Sequence, residues 1–352
     1  MPEGMTEHDD EIAAPMTLAL LGWSEFYEDQ LLDEDAGLVP MRITNVHRAK
    51  VTALSVEGAE KLELPYKHRT TDYAVGDWVL SDLDKGQVVR LLERRSLLRR
   101  RTEGSHLPQL ISSNIDTLFI VTSCNEDFSV ARLERYLALA NEADIRPVIV
   151  LTKADKIEDA GAYITQAQGL QRDLQVVSLN GLSPAAVETL QPWCGIGQTV
   201  ALVGSSGVGK STLLNTLAAK EGEDRQLTGA IREDDAKGRH TTTSRSLHRI
   251  KGGGWVIDTP GMRSLHMGDA ASGLEQLFAE IVELAAQCRF RDCTHAHEPG
   301  CAVTAAAKAG ALDPERLERW RKLDEENREN TVVLTGPRGN KTAPKAPKGR
   351  RR

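Results

Sequence analysis

The chain lacks any run approaching the ~20 consecutive apolar residues of a membrane-spanning helix. Its early apolar stretch, Met16 to Trp23, lies in acidic flanks with no basic leader before it. These absences argue against a membrane partner or export, and the expected location is cytoplasmic. Cysteine is scarce, five in 352 residues, and Cys124 and Cys194 stand apart from the rest, which excludes a disulfide-built scaffold and fits reduced thiols. No internal repeat is present, so solenoid and propeller architectures are set aside. Charge of one sign is missing from each end: residues 1–40 hold eleven acidic residues and no Lys or Arg, and residues 331–352 hold seven basic and no acidic ones. The net charge of -7 hides this contrast. The basic end is too poor in apolar residues to fold alone. The acidic start is expected to be helical around Leu18 to Leu32, and either to dock on the neighbouring barrel or to shield basic surface until a binding partner displaces it.

Against these absences stands one dense motif. Gly204, Ser205, Ser206, Gly207, Val208, Gly209, Lys210 and Ser211, followed by Thr212, fit the phosphate-binding loop pattern. The glycines let backbone N–H groups turn inward around phosphate oxygens at the positive end of a helix opening near Lys210. Lys210 is expected to reach the β- and γ-phosphates, and the Ser211 hydroxyl to hold Mg²⁺. The apolar run Gln198 to Val203 predicts the buried strand that feeds the loop.

About fifty residues upstream, Thr152-Lys153-Ala154-Asp155 follows the apolar strand Pro147 to Leu151. It resembles the guanine-reading Asn-Lys-x-Asp of GTPases. A carboxylate only accepts hydrogen bonds, so Asp155 suits the two N–H groups of guanine and leaves adenine partly unpaired. Lys153 is expected to lie along the base. What is missing is the Asn, since Thr152 takes its place, and the expectation is loss of an amide that ties the base loop to the phosphate loop. Ser178, after the strand Leu174 to Val177, fits a second guanine loop, although Leu179 and Asn180 replace the usual Ala-Lys.

Downstream, Trp255-Val-Ile-Asp-Thr-Pro-Gly261 predicts a strand ending in Asp258, which is placed for Mg²⁺ or its water, with the Gly261 amide placed for the γ-phosphate. In the polar stretch between, Thr242 is the expected Mg²⁺-sensing threonine. Met262 stands where many GTPases carry a water-orienting glutamine, and a thioether cannot do that work. His240 is the candidate substitute for placing water, and slow hydrolysis that a partner accelerates is expected.

Base loops first and phosphate loop last is the order of a circularly permuted α/β P-loop GTPase domain, expected over residues 112–267. With these motifs the chain resembles the ribosome small-subunit-dependent GTPase A family, the RsgA/YjeQ type. The resemblance implies a multidomain chain: an N-terminal OB-fold β-barrel, the permuted GTPase and a C-terminal helical zinc-binding domain. Cys288, Cys293, His295 and Cys301 form a Cys-x4-Cys-x-His-x5-Cys set, whose three thiolates and one imidazole suit a closed structural Zn²⁺ site, with His297 as a possible competing ligand. Short alternating runs at Met41 to Val46, Lys50 to Val56, Asp77 to Ser81 and Gln87 to Leu92 fit the barrel. Trp78 is open between core and base-stacking roles. The five arginines of Arg94 to Arg101 suit phosphate contacts or a solvated linker. Asp313-Pro314 predicts the start of a late helix carrying Leu317, Trp320 and Leu323.

The expected boundaries are an acidic extension at 1–37, the RNA-binding barrel at 38–100, a linker at 101–111, the GTPase at 112–267, the zinc domain at 268–330 and a basic disordered tail at 331–352. The resemblance further implies a monomer that hydrolyses GTP to GDP late in maturation of the small (30S) ribosomal subunit, binding the subunit and its rRNA and stimulated by it. A GTP-regulated switch acting on a non-ribosomal RNA or protein stays open as an alternative.

Overall fold

The computed structural model describes residues 15–100, 108–218, 246–259 and 267–331, and the backbone of 333–334 and 341–342. Five strands close a barrel in the order β1-β2-β3-β5-β4: β1 Val39–Val46, β2 Lys50–Leu54, β3 Ala59–Glu63, β4 Trp78–Asp82 and β5 Gln87–Leu91. Alternation sends Met41, Ile43, Val51, Ala53, Val79 and Val88 into its interior. The barrel thus ends at Leu91. β6 Leu97–Arg100 leaves it to pair with β7 Gln109–Ser113, beside the second domain.

That domain is a six-stranded sheet in the order β10-β9-β8-β11-β13-β12, with β8 Thr117–Ser123, β9 Arg146–Thr152, β10 Gln175–Ser178, β11 Thr199–Val203, β12 Ser246–Arg249 and β13 Trp255–Asp258. Only β12, at the edge, is antiparallel to its neighbour. β8 and β11 are buried at every position, as continuous apolar runs in a doubly covered parallel sheet must be. Helices α2 Val130–Glu142, α3 Gly161–Gln168, α4 Ala185–Leu190 and α5 Lys210–Leu217 connect the strands.

Four further helices follow: α6 Ala271–Leu277, α7 Ala279–Ala285, α8 Ala302–Lys308 and α9 Pro314–Asn330. Asp313 caps α9, accepting from Glu315 N at 2.9 Å. The helix packs back through buried Leu317 and Leu323. Its charges are more than a solvated face. Arg319 keeps its Glu315 partner at 3.8 Å but also reaches Glu134 of α2 at 3.0 Å, where Arg316 arrives at 3.2 Å, and Glu134 is wholly buried. Arg135 pairs with Glu326. Gly273 of α6 lies so close to α2 that a Cβ would meet the Ala138 carbonyl at 2.0 Å.

The acidic N-terminal segment is not the predicted helix. Among its described residues the one α-helical turn is α1 Glu25–Glu28, because Gly22 breaks the run at φ +92, where a Cβ would sit 2.7 Å from the Gly197 carbonyl. The segment does dock on the barrel, one of the roles expected of it. Trp23 and Tyr27 pack on Trp78, with ring centroids at 4.9 and 5.6 Å, so Trp78 is core and 1% exposed.

Beneath them lies Arg42, on the outward face of β1 and buried by three segments at once. Its Nη1 donates to Leu21 O at 2.6 Å, and its Nη2 to Thr199 Oγ1 at 2.7 Å and Asn114 O at 3.4 Å. Burial pulls its pKa down to about 10, which still leaves it charged at neutral pH. Arg94 and Arg95, from the strip expected to make phosphate contacts or form a solvated linker, are used internally, by Asp77 at 2.7 Å and Asp116 at 2.9 Å.

Arg42→Ala leaves these acceptors without a donor. It is expected to destabilise the chain by about 2–4 kcal/mol and to open the segment before β1 to limited proteolysis, both measured against the parent chain.

Candidate active site and metal centre

The loops that carry the site motifs all leave the C-terminal ends of the parallel strands, the edge where ligands bind in open α/β sheets. β11 ends at Val203 and Gly204 turns immediately, at φ +142 and so close to β8 that a Cβ would lie 2.1 Å from Val121 O. Lys210, the first residue of α5, folds its ammonium onto Gly204 O at 2.9 Å and onto Ser205 O. Ser211 and Thr212 follow in the first turn. Asp258 ends β13 in register with Leu202 of β11, and Thr259 Oγ1 donates to Leu202 O at 2.6 Å, so Thr259 is pinned to the strand that feeds the phosphate loop.

On the other side, Thr152 ends β9. Its hydroxyl lies 2.5 Å from Val208 O and 3.1 Å from Thr122 O. The expected loss of the tie between base loop and phosphate loop is therefore corrected: a hydroxyl of the shorter side chain makes it. Lys153 turns through the left-handed region at φ 57, with Nζ 3.9 Å from Asp127, and Asp155 lies at the surface with Lys156 at 3.4 Å. Ser178 is the last residue of β10. The following loop is held by Leu179 N on Leu151 O at 2.9 Å and by Thr216 Oγ1 of α5 on Gly181 O at 2.7 Å. Thus Thr152, Lys153, Asp155, Ser178, the 204–212 segment and Asp258 share one edge. His240, Thr242 and Gly261 lie outside the described residues.

Two residues absent from the motifs also reach the loop. Arg132, in the first turn of α2, donates to Ser205 Oγ at 2.5 Å. One turn on, burial raises the pKa of the Tyr136 phenol, while the Arg132 charge and a hydrogen bond from the Gly204 amide oppose the rise. No local pattern connects residues 73 positions apart.

In the C-terminal unit the ligand atoms of Cys288, Cys293, His295 and Cys301 all lie within 4.8 Å of one another. His295 Nδ1 is 3.5 Å from the sulfurs of both Cys288 and Cys301. His297 is exposed and outside the group. The cluster is built around: Trp320 of α9 meets the His295 ring edge-on at 5.6 Å, and Arg321 donates to His295 O. Thr304 N, in the first turn of α8, points at Cys301 Sγ from 3.4 Å. Burial opposes ionisation of Cys301, but the bonds from Thr304 and His295 hold its thiol at about 6. A group of three thiols and one imidazole this close can hold a metal ion.

A parallel sheet with a phosphate loop on an inner strand, and with both base-reading loops earlier in the chain, defines a circularly permuted P-loop GTPase. The sequence profile of the RsgA GTPase family matches residues 91–268. A Mesorhizobium japonicum protein named Small ribosomal subunit biogenesis GTPase RsgA is 62% identical over 340 residues, 97% of this chain and 98% of that one. Vibrio vulnificus RsgA 2, of the same description, is 51% identical over 92% of each chain. Among solved structures, YjeQ from Thermotoga maritima superposes with a TM-score of 0.60 at 25% identity, covering 82% of this chain and 98% of that one. YloQ, titled a circularly permuted GTPase, gives 0.56 at 25% identity over 85% and 98%. The chain belongs to the RsgA GTPase family.

Thr152→Val removes the hydroxyl tie and keeps the volume. Titration with a fluorescent GDP is expected to give binding roughly three- to tenfold weaker, the worth of one neutral hydrogen bond.

Proposed function

We propose that this chain is a GTP-hydrolysing assembly factor that binds the small ribosomal subunit and its rRNA late in maturation and is released on hydrolysis to GDP. The observation that carries the reading is the match over nearly the full length of both chains to a protein named as a small-subunit biogenesis GTPase. The protein works in the cytoplasm as a monomer; among the described residues no helix is long and apolar enough to cross a membrane.

In this reading Lys210 and the backbone of Gly204, Ser205, Ser206, Gly207, Val208 and Gly209 hold the phosphates, with Ser211 and Thr212 at the helix start. Asp155 accepts the guanine N–H groups, Lys153 covers the base, and the backbone at Ser178 closes its far side. Ser211, Thr242 and Asp258 would hold Mg²⁺, which would supply charge neutralisation to the phosphates when bound. Gly261 senses the γ-phosphate, and His240 places the attacking water. Because the C-terminal helices are the next described elements after β13 along the chain, rearrangement after Asp258 is passed on to them.

Cys288, Cys293, His295 and Cys301 hold one structural Zn²⁺. The donor set fits: soft thiols, an imidazole met edge-on by Trp320, a His295 backbone carbonyl held by Arg321, and a sulfur capped by Thr304 N. The barrel and the basic tail supply RNA contacts, and the domain limits are those expected from the sequence, with the barrel proper closing at Leu91.

Purified chain is expected to carry about one zinc per chain by elemental analysis. Stripping it with a chelator should expose the 288–301 segment to protease and leave GDP binding intact. GTP hydrolysis, assayed with small subunits, large subunits or ATP as controls, is expected to rise at least about tenfold with small subunits alone and only with GTP. Equal rates with and without small subunits would reject the assembly-factor reading.

A further inference from the structure

The phosphate loop is approached by two cations, and the motif accounts for only one. Lys210 Nζ sits on the carbonyl oxygen of Ser205, and Arg132 Nη1 on the hydroxyl of the same residue. Arg132 therefore stands one residue's width from the ammonium that reaches the β- and γ-phosphates. It does so from the first turn of α2, the positive end of that helix, where a cation is electrostatically misplaced. The N-terminus of α5 adds a further positive end at the same spot. Among the described residues no carboxylate pairs with Arg132. Like charges gathered in this way are relieved by an anion. The guanidinium is also firmly based, because the next turn of α2 is clamped: Glu134 by Arg316 and Arg319, Arg135 by Glu326, and Tyr136 by the Gly204 amide.

We propose that Arg132 is a second phosphate-binding cation, which takes the γ-phosphate beside Lys210 and so distinguishes GTP from GDP. This rests on the nucleotide site proposed above. It supplies from within the chain a charge of the kind that stabilises the transferring phosphoryl group in other GTPases, in a chain whose Met262 cannot orient water.

The test compares parent chain, Arg132→Ala, Arg132→Lys, Ser205→Ala and Lys210→Ala for binding of fluorescent GDP and of a β,γ-imido GTP analogue, for single-turnover hydrolysis and for melting temperature. Alanine suits a helix, so Arg132→Ala is expected to melt as the parent does. Its affinity for the analogue is expected to fall roughly tenfold or more while GDP stays within about twofold, as loss of one charge-assisted contact to the γ-phosphate requires. Hydrolysis should slow at least about tenfold, and Arg132→Lys should recover part of both losses. Equal weakening of GDP and analogue, or no change in either, would overturn the proposal. So would full reproduction of the Arg132→Ala effect by Ser205→Ala, since Arg132 would then act only by shaping the loop. Lys210→Ala separates the two layers: it should weaken both nucleotides, and if it weakens neither, the site itself is misassigned and the proposal falls with it.

Discussion

A guanidinium removed from water holds the N-terminal half of this molecule together. Burying a charge costs several kcal/mol unless hydrogen bonds compensate it, and the two terminal nitrogens of Arg42 find acceptors in segments far apart in sequence, while its Nε finds none among the described residues. Leu21 belongs to the acidic extension, Asn114 to the turn before β8, and Thr199 to the strand that feeds the phosphate loop. None of them alone satisfies the charge. The barrel, the extension and the GTPase sheet thus meet at one side chain. Trp255 adds to the same seam, donating its indole N–H to Leu20 O at 2.6 Å.

A second seam runs along α2. One side of that helix touches the phosphate loop through Arg132 and Tyr136, and another carries the C-terminal helices through Glu134 and Arg135. Glu134 is again a buried charge met from outside its own segment, by two arginines of α9. The order of the chain gives the C-terminal unit a covalent attachment after β13, and α2 gives it a non-covalent one. The phosphate loop and the C-terminal unit are thus joined both through α2 and along the chain that follows β13.

What was legible in the sequence was chemistry that tolerates few residue types. Glycines at 204, 207 and 209 are needed where the backbone takes positive φ, and a thiolate set needs cysteines at close spacing. Buried strands were legible because they are apolar without interruption. Contacts that depend on where a side chain ends were not. Thr152 was expected to lose a tie that its hydroxyl in fact makes to Val208, since reach cannot be judged without the backbone around it. Arg94 and Arg95 looked like a basic strip until Asp77 and Asp116 were brought to them by the fold. The helix expected around Leu18 to Leu32 failed at Gly22, where tertiary crowding against Gly197 overrides local propensity. The Arg132 contact joins residues that no periodicity relates.

The strand order also sets a schedule for synthesis. β8 lies between β9 and β11, yet β9 begins at Arg146 and β11 only at Thr199. As the chain leaves the ribosome, the half that carries β8, β9 and β10 can assemble first, and β8 then waits with an open hydrogen-bonding edge and apolar faces exposed. That vulnerable edge is closed by the very strand that delivers the phosphate loop. An unfinished chain is therefore unable to hold nucleotide, and the competence to hold it arrives in the same step that heals the sheet.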